Sequence, residues 1–414
     1  MPRDTRLLFA TRFLRLFAYG ALSVVLVFYL IAVGLTERQT GLLLTLTLLG
    51  DTAISLAITT RADHIGRRRM LLVGALLMSA AGVAFACTTK FWVLLVAGTF
   101  GVISPSGGEV GPFLAIEQAA LTGTTDARDR TRLFAWYTLA GALATALGAL
   151  AGGLIAGGTG AEAVHRYRGV LVLYAGIGLV LALLFLRLSP AAEGEPSPES
   201  ASAPRGPLTE LAGLHGSQQI VLKLAGLFAL DAFGGGFIAQ SFAAYWFHLR
   251  FGAEPAALGA IFFVANVLAG LSALLAARLA SRFGLVQTMV WTHLPSNVLL
   301  ILVPMMPTMA LAVAVLFVRF SISQMDVPTR QSYVMAVVTP RERSAAGGIT
   351  GVARTVGAAI SPAFAGLLFA VPALVNWPFF IAGTLKIAYD VLLYRGFKSL
   401  GPADERPIEG RPMT

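Results

Sequence analysis

The sequence predicts an all-α integral membrane protein: twelve transmembrane helices in two pseudo-symmetric six-helix bundles. Three observations predict it. Of 414 residues, 56% are hydrophobic and 13% charged, whereas soluble domains carry about 25% charged residues. Apolar runs of about 20 residues, enough to cross roughly 30 Å of hydrocarbon as a helix, recur along nearly the whole chain. Lys and Arg gather in alternate short loops, the pattern that orients a membrane protein.

The spans fall at 13–34, 40–60, 70–89, 92–118, 133–157, 169–187, 220–247, 257–280, 286–304, 308–334, 345–371 and 377–396. With both termini cytoplasmic, 22 of the 31 Lys and Arg lie on the inner side. Arg38, Lys90, Arg166, Arg168 and Arg250 lie outside, and Arg319, Arg330, Arg354 and Lys386 lie within spans. The asymmetry places the chain in the cell membrane in that orientation. It also gives the net charge of +10 a topological role, which excludes nucleic acid as the partner. The first run follows Arg3, Arg6, Arg12 and Arg15 with no convincing cleavage site, so it is read as a retained span.

The segment 189–216, rich in Pro, Ser, Glu, Gly and Ala, reads as a flexible cytoplasmic linker. It separates an N-terminal bundle, 1–188, from a C-terminal bundle, 217–400, and a polar tail, 401–414. The halves look duplicated. Gly34, Gly41 and Gly66 recur 218 positions later as Gly252, Gly259 and Gly284. Gln118, Arg128-Asp129-Arg130-Thr131 and Gly153 recur 213 positions later as Gln331, Arg341-Glu342-Arg343-Ser344 and Gly366.

Along the chain, Arg12 and Arg15 in the first span are expected to snorkel to the headgroups. Asp51 sits near the middle of the second. The stretch Thr59–Arg69 is a tight hinge: Gly66 permits the turn, and Asp63 is an acid among Arg61, Arg67, Arg68 and Arg69. In the fourth span Pro105, Gly107, Gly108, Gly111 and Pro112 flank Glu109 and weaken the helix. The freed backbone groups need protein or a wet cavity, which makes this the first half's binding element. Small residues at Gly148–Gly157 and at Gly357–Gly366 suit close helix packing. In the seventh span Asp231 precedes three Gly, and Tyr245-Trp246-Phe247-His248 is read as an interfacial belt. His293 is read as a satisfied structural His. Asp326 with Arg330, and Lys386 with Asp390, are four apart and can pair locally.

Charges at mid-membrane cost at least about 2.5 kcal/mol each on an insertion scale and so usually have a task. By depth the candidates for substrate and proton binding are Asp51, Glu109, Asp231, Arg319 and Arg354. Glu109 and Asp231 are the leading proton carriers, the alternative being static pairing with Arg319 or Arg354. Lone Cys87 forms no internal disulfide. No Gly-x-x-x-x-Gly-Lys-Ser/Thr loop and no metal-spaced Cys/His cluster is present, so no cofactor, metal or enzymatic activity is expected.

The hinge resembles Gly-x-x-x-Asp-Arg/Lys-x-Gly-Arg-Arg/Lys, the loop between the second and third helices of the major facilitator superfamily of secondary transporters. Asp63, Gly66, Arg67 and Arg68 match; Thr59 and His64 depart from it. Gly148–Gly157 partially resembles the fifth-helix pattern of that family's proton-coupled antiporters, with Gly153 in place of Pro. The resemblance implies alternating access around one mid-membrane site, with helices one, four, seven and ten lining it. It also implies a conformational latch at Asp63, Gly66, Arg67 and Arg68, with Glu117, Asp326 and Arg330 in the same lattice. The expected function is proton-coupled efflux of a small polar or charged molecule by a monomer in the lipid bilayer. A proton symporter importing a metabolite, or a receptor or scaffold without transport, are the alternatives.

Overall fold

Long apolar sequences with few internal breakers form helices here, and the breaks fall where Gly, Pro and polar residues cluster. The computed structural model describes residues 3–123, 130–158, 162–189, 214, 217–339 and 342–398. Most of the linker 189–216 and all of the tail 401–414 lie outside the described residues. In the first half, α1 is Arg3–Ala32, α2 Glu37–Ile65, α3 Arg67–Cys87, α4 Phe91–Phe100, α5 Phe113–Gly123, α6 Arg130–Ala156 and α7 Ala163–Phe185. In the second, α8 is Gln218–Gly236, α9 Gln240–Phe251, α10 Pro255–Phe283, α11 Leu285–Leu302, α12 Met309–Phe320, α13 Asp326–Val337, α14 Arg343–Phe369 and α15 Trp377–Phe397.

Among the described residues, nine segments are long and apolar enough to cross a membrane, counting α8 with α9. The broken pairs α4–α5 and α12–α13, and α15 with its internal Lys386 and Asp390, fill the other three positions of the twelve-span plan. The fourth, seventh and tenth spans are each two helices; the fourth breaks at the prolines and glycines expected to weaken it, whereas the sequence predicts the other two as continuous. Between α4 and α5, residues 101–112 leave the helix, and side chains satisfy the carbonyls this frees. Ser104 Oγ donates to Gly108 O at 2.7 Å, Tyr19 Oη to Val110 O at 3.3 Å, and Tyr174 Oη to Val102 O.

Repeated glycines take repeated conformations. Gly34 and Gly252 have φ of 97° and 68°; Gly66 and Gly284 have 112° and 88°. This left-handed region is open to Gly at little cost. Gly66 turns α2 into α3, and Gly284 turns α10 into α11.

The halves meet at the end opposite the Gly66 turn, along α2 with α14 and α6 with α10. A Cβ on Gly41 would lie 2.4 Å from Pro362 O and 2.9 Å from Gly366 Cα. A Cβ on Gly153 would lie 2.5 Å from Pro255 O and 2.7 Å from Gly259 Cα. Thr45 Oγ1 accepts from the Ala363 amide at 2.9 Å and lies 3.4 Å from Ile360 O, on either side of Pro362 inside α14. Gln240 Nε2 donates to Ser23 Oγ at 2.7 Å, and the Ser241 amide to Pro105 O at 3.1 Å.

Candidate functional site

Two buried charge clusters sit at the middle of the spans, one in each half. In the first half, α1 carries the cations. Arg15, with 0% side-chain exposure, donates through Nη1 and Nη2 to both oxygens of Glu117, also 0% exposed, at 2.7 Å each. Its Nε donates to Glu109 Oε1 at 2.9 Å, and Arg12 Nη1 to Glu109 Oε2 at 3.0 Å. Thr11 and Tyr137 hydroxyls complete the shell of Glu117. Both guanidiniums also lie over rings, Arg12 at 4.4 Å from Tyr137 and Arg15 at 4.5 Å from Phe113.

The snorkelling expected of Arg12 and Arg15 is therefore overturned. α1 begins at Arg3 rather than near residue 13, which sinks both residues several turns into the helix. At about 1.5 Å rise per residue, the stems cannot reach the interface from there. They find Glu109 and Glu117 instead.

Glu109 stands in the non-helical 101–112 segment and keeps 16% side-chain exposure. Asp51, from α2, approaches the same segment. Its Oδ2 accepts from the Gly111 amide at 3.1 Å, while Oδ1 is buried without a hydrogen-bond partner. No cation pairs with Asp51 among the described residues.

In the second half, Asp231 of α8 is the hub. Lys386 Nζ reaches its Oδ1 at 2.6 Å and Arg330 Nη1 its Oδ2 at 3.0 Å, with His293 Nε2 3.6 Å from Oδ1. Arg330 also pairs with Asp326 at 3.1 Å, as their spacing predicts. The local Lys386–Asp390 pair expected in α15 does not form. Lys386 turns to Asp231, while Asp390 sits 2.9 Å from His293 Nδ1 and accepts from Asn297 at 2.9 Å. His293 is buried and satisfied, as its sequence context suggested.

Asp231, His293 and Asp326 could each offer one ligand atom to a common point. Arg330 and Lys386 already supply the positive charge there, so the donor set does not suit a metal ion.

Arg319 and Arg354 differ from every other cation at this depth. Neither donates a hydrogen bond nor pairs with an acid among the described residues, and the Nε of each is buried without a partner. The alternative that Glu109 or Asp231 is held by Arg319 or Arg354 is thus not what forms. Arg12, Arg15, Arg330 and Lys386 hold them.

The latch residues divide. Gly66 makes the turn; Arg67 Nη1 lies 3.5 Å from Ala119 O of α5, and Arg68 donates to Leu186 O just past α7. The side chains of Asp63 and His64 lie outside the described residues. Glu117 and Arg330 do not face each other across the halves here; each pairs within its own bundle. The belt expected of Tyr245, Trp246 and Phe247 is overturned too. All three are buried, with Tyr245 donating to Glu37 at 2.9 Å and Trp246 to Asn376 at 2.9 Å. On α9, beyond the break at 237–239, these rings pack against others from neighbouring helices, Tyr245 against Phe369 and Trp246 against Phe379.

Sequence reasoning missed Arg12, Arg15, Tyr137 and Lys386 as cluster members. A signal was present: Arg12 and Arg15 are three apart and so share one helical face.

The family model of the Major Facilitator Superfamily matches residues 8–325. The chain belongs to that superfamily. A yeast relative, the uncharacterized membrane protein YJR124C of Saccharomyces cerevisiae, is 32% identical over 419 residues, covering 94% of this chain and 93% of the relative. Among solved structures, an Asp-to-Ala point mutant of the nucleoside transporter NupG superposes with a TM-score of 0.75 at 13% identity, over 95% of this chain and 100% of that one. A D-xylose-proton symporter gives 0.72 at 14%, over 97% and 98%. A bacterial homologue of the human lysosomal transporter Spinster, inward-facing and occupied, gives 0.72 at 16%, over 96% and 97%. This superfamily member is a multi-pass membrane protein, and a transporter of small molecules rather than an enzyme.

Proposed function

We propose that this transporter couples the movement of a small polar or charged solute to protons, in the sense of export, as a monomer. The observation that carries the reading is the pair of mid-span clusters, in which Glu109 and Asp231 each hold two cations by distances of 2.6–3.0 Å. Protonating either carboxylate removes a charge from a lattice of cations at low dielectric, so the cations must find another partner or move. That links proton binding to rearrangement of α1 against the 101–112 segment, or of α8 against α13 and α15. Asp51, close to Glu109's segment and without a cation, is the third acid in the relay.

The orientation that supports this reading has both termini and the Arg-rich turn in the cytoplasm, and the two bundles at 1–188 and 217–400. The halves then touch on the outer side, and the site opens inward. Asp63 with Arg67 and Arg68 latches the cytoplasmic side when it shuts. Export rests on the partial antiporter resemblance of Gly148–Gly157.

The test is proton flux into proteoliposomes on adding candidate substrates. Antiport moves protons against the substrate and symport moves them with it; movement in the same direction would replace export with import. Glu109→Gln and Asp231→Asn should fold but lose proton-driven transport. Wild-type pH dependence in both variants would refute the coupling.

A further inference from the structure

We propose that Arg319 and Arg354 form the substrate subsite, and that the substrate bears an anionic group, a carboxylate or a phosphate. The inference deepens the transporter reading above and rests on it. Both residues lie near the middle of their spans, Arg319 at the end of α12 beside the break at 321–325 and Arg354 within α14. Each is partly exposed while its Nε is buried without a partner, so neither guanidinium has its hydrogen-bonding capacity filled by the described residues.

The acids nearby are paired with other groups instead. Arg319 and Arg354 both lie within electrostatic range of Asp231 and Asp326. Yet both oxygens of Asp231 are taken, by Lys386 and Arg330. Asp326 is turned to Arg330, and both oxygens of Asp390 are taken by His293 and Asn297. At mid-span in this half, Arg319, Arg330, Arg354 and Lys386 face Asp231, Asp326 and Asp390, an excess of one cation among the described residues. The opposite half is reversed, with Arg12 and Arg15 against Asp51, Glu109 and Glu117.

A guanidinium left unpaired away from bulk water is costly. Its planar fork matches a carboxylate or phosphate through two parallel hydrogen bonds, which a neutral sugar or a cation does not complete. The charge imbalance between the halves pulls an anion toward α12 and α14. It also favours any cationic part of the same molecule on the side of Glu109 and Asp51.

The test is binding to the detergent-purified full chain, followed by thermal shift and calorimetry. The probes are succinate, citrate, inorganic phosphate and glucose 6-phosphate, against glucose, choline and tetraphenylphosphonium. At least one anion should bind. Arg319→Gln and Arg354→Gln should each weaken it at least about tenfold, and Arg319→Lys should recover part of the loss because it restores charge without the fork. Gel filtration identifies any variant that misfolds; for such a variant, the Lys replacement at the same position carries the comparison. Preference for the carboxylates or for the phosphates decides between those two chemistries. No binding by any anion, or binding of glucose or a cation that both Gln variants retain, overturns the proposal. Because binding is read without a proton gradient, an anion that the wild type binds and the Gln variants lose, in a wild-type protein that moves no protons, would refute the coupling and leave this subsite standing. Proton-coupled movement of a neutral solute would do the reverse.

Discussion

Arg15 and Glu117 show how a residue pair fixes a bundle from inside. Both are fully buried, doubly hydrogen-bonded, and joined by Tyr137 and Thr11. Removing one partner of such a pair strands the other charge, which costs about 3–5 kcal/mol. Glu117→Ala should therefore lower the thermal unfolding midpoint in detergent strongly, with Glu109 softening the loss because it also holds Arg15. A midpoint within experimental error of the wild type would show that the pair does not hold α1 to α5. The sequence spacing made Asp326–Arg330 legible, since four residues on one helix are neighbours by construction. Arg15–Glu117 and Lys386–Asp231 were not, because 102 and 155 positions separate their members.

At the scale of the element, the broken span between α4 and α5 does the positioning. Its prolines and glycines announced the break in the sequence, and the freed carbonyls take hydroxyls from α1 and α7. Gly111 holds φ +81°, and its amide is the donor to Asp51. A Cβ there would stand 2.9 Å from Val102 Cγ1. Gly111→Ala should cost about 1–3 kcal/mol in backbone strain and impair transport. Gly108→Ala, whose Cβ would meet only Ser106 Oγ at 3.4 Å, should change either property little. Equal effects from the two alanines would mean that the left-handed turn is not what matters. The break in the tenth span went unpredicted: Ser321–Met325 contains no Pro or Gly, and its five residues read as ordinary helix.

Across the whole molecule the duplication becomes a contact pattern. Gly41 and Gly259 correspond between halves, as do Gly153 and Gly366. The structure sets Gly41 on Gly366 and Gly259 on Gly153. Exchange of partners between corresponding positions is what a pseudo-twofold axis produces. The buried pairs follow the same rule with signs reversed: Arg15 with Glu117 in one half, Asp231 with Arg330 in the other. Gly41→Val should wedge α2 from α14, since even a Cβ would meet backbone at 2.4 Å. In a background with Cys87 replaced by Ser, a Thr45→Cys reporter should then react faster with a maleimide. Gly226→Ala, which meets nothing within 4 Å, should leave that rate unchanged. An unaltered rate in the Gly41→Val protein would indicate that the contact between halves survives a wedge.

The sequence by itself determined the class, the approximate ends of the spans, the duplication and the sites of the turns. Those follow from local chemistry: apolar length, the loops where charge gathers, and glycines where φ is positive. Only the tertiary structure decided which charge meets which. Asp231 chooses Lys386 and Arg330, Arg15 turns inward, and Arg319 and Arg354 are left without an acid among the described residues. Partner choice at bilayer depth depends on how helices far apart in the chain are brought together. A carboxylate there bonds whichever cation the packing places within about 3 Å, and one sequence carries no record of that distance.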